Sequence, residues 1–164
     1  MTEATIIKVG MADLNTGICG EVLKTTGLGS CVGVTLFDPA VKVGGMAHVM
    51  LPSSDIAREG KRNDAKYADT AIPLLINKMI ERGASVSRME AKLAGGAQMF
   101  AFASANEMMR IGSRNAEASK QVLMEYGIPI KAEDLGGNYG RTIELDCCSG
   151  ILLVRSVQFG VKEL

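Results

Sequence analysis

Two side chains of this sequence could do nucleophilic chemistry together: Cys31, behind a glycine-rich turn, and His48, the only histidine among 164 residues. A thiol paired with an imidazole attacks carbonyl carbons, the imidazole taking the thiol proton. The backbone just before Cys31, Gly27-Leu28-Gly29-Ser30, leaves room for a bound carbonyl. Amide N–H groups at Gly29 and Ser30 would then stabilise an oxyanion. The glycine spacing is G-x-G-x-x-x-G with no helix behind it, so it is not a dinucleotide loop.

The pair must be positioned by what lies between. Residues 32–37 are rich in β-branched and apolar types, as are residues 41–50, and Asp38-Pro39 between them is a turn signal. A tight hairpin follows. If Asp38 pairs with Val41, Cys31 lies opposite His48; a loop two residues longer pairs Gly33 with His48 and leaves Cys31 a diagonal neighbour. Both registers put the two side chains on one face, whereas a one-residue slip separates them. Taken singly, each residue has an ordinary reading: cysteine is a common core filler, and a histidine in an apolar strand is commonly structural.

Thr25-Thr-Gly-Leu-Gly-Ser-Cys31 and Gly44-Gly-Met-Ala-His-Val-Met-Leu-Pro52 resemble blocks of the chemoreceptor glutamine deamidases of chemotaxis, the CheD family. Leu93-Ala-Gly-Gly-Ala-Gln-Met-Phe100 and Gly136-Gly-Asn-Tyr-Gly-Arg141 are similar to later blocks of that family. The resemblance implies an α/β/β three-layer sandwich and a catalytic triad of Cys31, His48 and Thr25. It implies hydrolysis of receptor glutamine side chains to glutamate through a Cys31 thioester, with no metal or organic cofactor, and extends to glutamyl methyl esters. The partners it implies are methyl-accepting chemoreceptors and a CheC-type chemotaxis phosphatase. In this reading an imidazolium at His48 lowers the Cys31 pKa, so the thiolate forms below the ordinary thiol range.

The rest of the chain fits a single domain over residues 1–164. Lysine plus arginine and aspartate plus glutamate stand at 18 each, so no bulk field favours nucleic acid or a membrane surface. Aromatic residues are too few for base-stacking platforms. No apolar run reaches membrane-spanning length and the N-terminal residues lack a secretory pattern, which places the protein in the cytoplasm. There disulfides are not expected, and Cys19, Cys147 and Cys148 read as small fillers.

Strands are expected over residues 5–12 and 18–25, the second delivering Thr25, with a turn at 15–17 between them. A helix is expected over 67–82, its apolar face Ala68, Ala71, Ile72, Leu75, Ile76, Met79 and Ile80, with Gly83 ending it. A strand at 91–94 precedes a second helix at 113–126, with Ala116, Val122, Leu123 and Tyr126 facing inward. Strands at 128–135, 142–148 and 151–157 complete an α+β layered pattern of mostly antiparallel strands. The polar stretch 55–66 reads as a mobile loop beside the site, residues 99–102 as core, and Arg141 as an exposed loop arginine. Two functions of other classes fit the same residues. One is a non-catalytic regulatory partner of the phosphatase; the other is a thiol redox sensor using Cys31 or the Cys147–Cys148 pair.

Overall fold

The computed structural model describes residues 4–56, 62–99 and 110–164. Among these residues, ten strands form two five-stranded sheets. The strands are β1 (Thr5–Lys8), β2 (Leu14–Ile18), β3 (Glu21–Leu28), β4 (Val32–Asp38), β5 (Val43–Val49), β6 (Glu90–Gly95), β7 (Ile130–Leu135), β8 (Arg141–Asp146), β9 (Leu152–Ser156) and β10 (Gly160–Glu163). One sheet runs β1-β3-β8-β9-β10 and the other β2-β5-β4-β6-β7. Among the described strands, only β1–β3 and β6–β7 pair in parallel. Helices α1 (Ala68–Glu81) and α2 (Ile111–Glu125) pack on the second sheet, giving the expected α/β/β sandwich.

Side-chain alternation divides the interior into two cores. On β5, Val43, Ala47 and Val49 face the helices and join Ala71, Ile72, Leu75 and Met79 of α1. Met46 faces the other way, into a layer between the sheets with Leu23, Leu28, Cys31, Ile143, Leu145 and Cys147. Gly45 lets α1 sit close: a Cβ there would press on Leu75 and the Met79 sulfur. α1 buries the face its spacing predicts except Ile80, which is 45% exposed. Gly83, at φ +99°, closes the helix by donating to the Ile80 carbonyl.

Four expectations are overturned. Residues 15–17 are strand, not turn: Asn15, Thr16 and Gly17 pair with Met46, Gly45 and Gly44, and the reversal falls at Cys19-Gly20. Glycine at 17 serves close packing, since a Cβ would strike the Cys147 sulfur. Cys19 and Cys148 are not fillers but a disulfide. Pairing of Val22 with Asp146 brings the β2–β3 and β8–β9 reversals together, and each carries one of these cysteines. Cys147, its side chain turned inward, stays a free buried thiol. Tyr126 is exposed at the end of α2, whose buried face holds Asn115 and Ser119 beside Val122 and Leu123.

The fourth is Arg141. It begins β8, is buried, and is held at 3.2 Å by Asp134, with further bonds to the Gly95 carbonyl and the Tyr139 hydroxyl. Its guanidinium also stacks 4.2 Å from the Tyr139 ring centre. Strand β10 lies beyond the last strand the sequence predicts, at 151–157. Of the loop expected at 55–66, residues 57–61 lie outside the described residues, as do 100–102 of the stretch expected as core; Met99, the first of that stretch, is 46% exposed.

Candidate active site

Asp38 pairs with Val43 across the β4–β5 turn, so Gly33 pairs with His48. Of the two registers open to the hairpin, the structure has the longer loop. Lys42, at φ +55°, supplies the left-handed residue that loop needs and donates to the Asp38 carbonyl. Carried on past Val32 and Val49, the register sets Cys31 opposite Met50 and diagonal to His48 on the inter-sheet face.

His48 is fully buried between the sheets. Its Nδ1 lies 2.7 Å from the Thr25 hydroxyl, contributed by β3 of the facing sheet. Nε2 is buried and has no partner among the described residues. Thr25 is itself buried, whereas Thr26 points out of the sandwich, so of two adjacent threonines only Thr25 can hold the ring. Gly33, the cross-strand partner of His48, allows the sheets to approach: a Cβ there would collide with Ile143 of the facing sheet.

The loop before Cys31 is pinned through its carbonyls. Gly29 accepts from the Ala97 amide, Ser30 from the Asn115 side chain and Cys31 from the Gly96 amide. Gly95, at φ +109°, must be glycine because a Cβ would meet the Cys31 carbonyl. With the carbonyls occupied, the N–H groups are what the loop has to offer a ligand. Among the described residues, the Ser30 amide donates to no protein acceptor and the Cys31 amide lies near its own sulfur. Gly29 donates back to the Gly27 carbonyl at 3.1 Å, so Ser30 and Cys31 carry the free amides rather than Gly29.

Burial sets the protonation states. It pushes the Cys31 thiol up, partly opposed by its own backbone amide, and pushes the His48 imidazole down. Both shifts act against the expected thiolate–imidazolium pair and favour a neutral thiol beside a neutral imidazole. Cys147 is pushed up to about 12 by burial and by Glu21 and Asp146 nearby, which leaves it an inert thiol. Among the described residues, no group of three or more histidine, cysteine, aspartate or glutamate side chains could share a metal ion.

Sequence reasoning missed Asn115. It lies on the inward face of α2, completely buried, and its Nδ2 donates at 2.9 Å to both the Ser30 and the Met50 carbonyl. Only a polar residue interrupting an apolar helix face hinted at it.

Fold and side chains define an α/β/β sandwich with a cysteine, a histidine and a threonine along its inter-sheet seam. The chain belongs to the CheD family: the family profile described as "CheD chemotactic sensory transduction" matches residues 50–156. The chain is 54% identical over 159 residues to the chemoreceptor glutamine deamidase CheD of Halalkalibacterium halodurans, covering 97% of this chain and 98% of that one. It is 46% identical to the Bacillus subtilis protein of the same name, covering 99% and 98% of the two chains. Among solved structures, the Bacillus licheniformis hypothetical protein YfiH matches with a TM-score of 0.46 at 15% identity, over 82% of this chain and 60% of that one.

Proposed function

We propose that this protein is a cysteine-dependent protein-glutamine deamidase acting on chemoreceptors in the cytoplasm. The observation that carries the reading is the bond between Thr25 and His48 Nδ1, which leaves Nε2 free on the face that carries Cys31. The names of the whole-length relatives supply the substrate class.

For His48 to act as a base, Nδ1 carries the proton and donates it to the Thr25 oxygen, leaving the Nε2 lone pair for Cys31. The thiol gives its proton to Nε2 as sulfur attacks the carboxamide carbon of a receptor glutamine. The Ser30 and Cys31 amides hold the oxyanion. The C–N bond breaks, His48 returns the proton to the departing ammonia, and a thioester remains. Water, losing a proton to Nε2, attacks the thioester; the products are glutamate and the regenerated thiol. Glutamyl methyl esters enter by the same acyl-enzyme with methanol leaving. A CheC-type phosphatase is the second partner in this reading, docking over the seam and so coupling the two activities.

Mass spectrometry of a receptor fragment incubated with the protein tests the reading, since each deamidated glutamine adds about one dalton. Unchanged fragment mass with wild-type protein, or equal conversion by wild type and Cys31→Ala, refutes it.

A further inference from the structure

We infer that Asn115 is a positioning residue that fixes Cys31 at the height of His48, an inference that rests on the site reading above. The paired part of β4 and β5 ends at Val32 and Val49. Beyond it the strands part. Cys31 turns toward the β6 end, its carbonyl taken by the Gly96 amide. The Met50 and Leu51 amides turn to the Lys66 carbonyl. The nucleophile thus sits where the hairpin no longer sets its own register.

Asn115 spans that gap. Its two contacts are both carbonyl oxygens, so the side-chain nitrogen must face them and the orientation of the amide follows from chemistry. One contact, Ser30, immediately precedes the nucleophile; the other, Met50, stands across the extended register from it and two residues after His48. One NH2 group therefore ties the cysteine arm of the hairpin to the histidine arm.

A second observation sets Asn115 apart from an ordinary core residue. Among the described residues its buried Oδ1 has no partner. An unpaired buried acceptor is unfavourable, and an apolar side chain of similar size avoids it. The same helix face buries Val122 and Leu123 further along. What the amide alone supplies is the double donation. Ser119, one turn on, bonds only within the helix, to the Asn115 carbonyl, and has no such reach.

The test reads the thiol rather than turnover alone. The rate of Cys31 alkylation by iodoacetamide is followed against pH in wild type, Asn115→Ala, His48→Ala and the double variant, with circular dichroism and thermal melting run alongside. We expect Asn115→Ala to shift the alkylation profile toward that of His48→Ala, and the double variant to match His48→Ala alone, because both changes cut one link. For deamidation of a receptor fragment we expect kcat to fall at least tenfold with KM changed less than threefold. Asn115→Ser, which keeps a single donor, should fall between.

A folded Asn115→Ala protein with the wild-type alkylation profile and kcat overturns the inference. So does additive slowing in the double variant, or failure of both Asn115 variants to fold at 25 °C, which makes Asn115 a packing residue. If wild type deamidates nothing while its alkylation depends on both His48 and Asn115, the functional reading fails and the positioning role stands.

Discussion

Replacing Thr25 with valine removes one hydroxyl and almost no volume. Thr25 is buried, so no water takes the place of the oxygen beside His48 Nδ1. A buried ring nitrogen left without a partner costs about 1–3 kcal/mol. At about 2–4 °C per kcal/mol for a domain of this size, the melting temperature should drop by roughly 2–12 °C. The same bond orients the ring. If the whole of that energy is lost from the transition state, at about 1.4 kcal/mol per tenfold, kcat falls roughly 5- to 150-fold. Deamidation of a receptor fragment, followed by mass, measures the rate, and calorimetry measures the melting point. Thr26→Val is the control, since that side chain faces solvent and should leave both unchanged. A Thr25→Val protein with wild-type kcat would refute the orienting role, as would equal losses in the two variants.

Cys31→Ala should abolish turnover while the protein keeps its circular dichroism spectrum, because one small buried side chain replaces another; Cys31→Ser should also be nearly inactive, since a hydroxyl ionises far less readily. The acid limb of kcat/KM should lie below 6.5, because burial lowers the His48 pKa and turnover needs its neutral form; a limb near the ordinary thiol range would point instead to a Cys31 thiol that ionises without help from His48. The same shift has a sign for stability. The folded state favours neutral His48, so its contribution is present above about pH 6.5 and is lost as pH falls toward the depressed value, a slope that His48→Gln should flatten in urea titrations. Reducing Cys19–Cys148, whose partners are 129 residues apart in sequence, should lower stability by about 2–4 kcal/mol, read as a lower urea midpoint and reproduced by Cys148→Ser.

The local part of the site was legible because it is a hairpin. Strand alternation and a turn signal put Cys31 and His48 on one face in either register, and adding two loop residues does not change the parity. The side of the ring that Thr25 would hold could be expected only from resemblance, since its strand belongs to the other sheet. What stayed hidden was decided by distant packing. Asn15-Thr16-Gly17 carries a turn composition, yet the segment is strand because β5 offers it a ladder. The Cys19–Cys148 disulfide depends on which reversals meet, which sequence spacing alone does not show. Arg141 sits beside glycines and reads as a loop arginine, but Asp134 and a carbonyl neutralise and satisfy it inside. Asn115 carries no local signal of its role, because its partners lie 85 and 65 residues away.

The glycines at 17, 33 and 44 have a mechanical consequence. Each stands on the sheet that carries His48, and at each an added Cβ would strike a side chain of the facing sheet. They thin the layer between the sheets, and the thinning lets a hydroxyl from one reach a ring from the other at 2.7 Å. In the proposed mechanism base and orienter thus belong to different sheets, and the contact of Thr25 with His48 is a property of the spacing between layers. A separation of one ångström would break that contact while leaving every strand ladder intact. Turnover is then a gauge of layer closure: a protein swollen by mild denaturant or by a side chain added at Gly33 should stop working well before it unfolds.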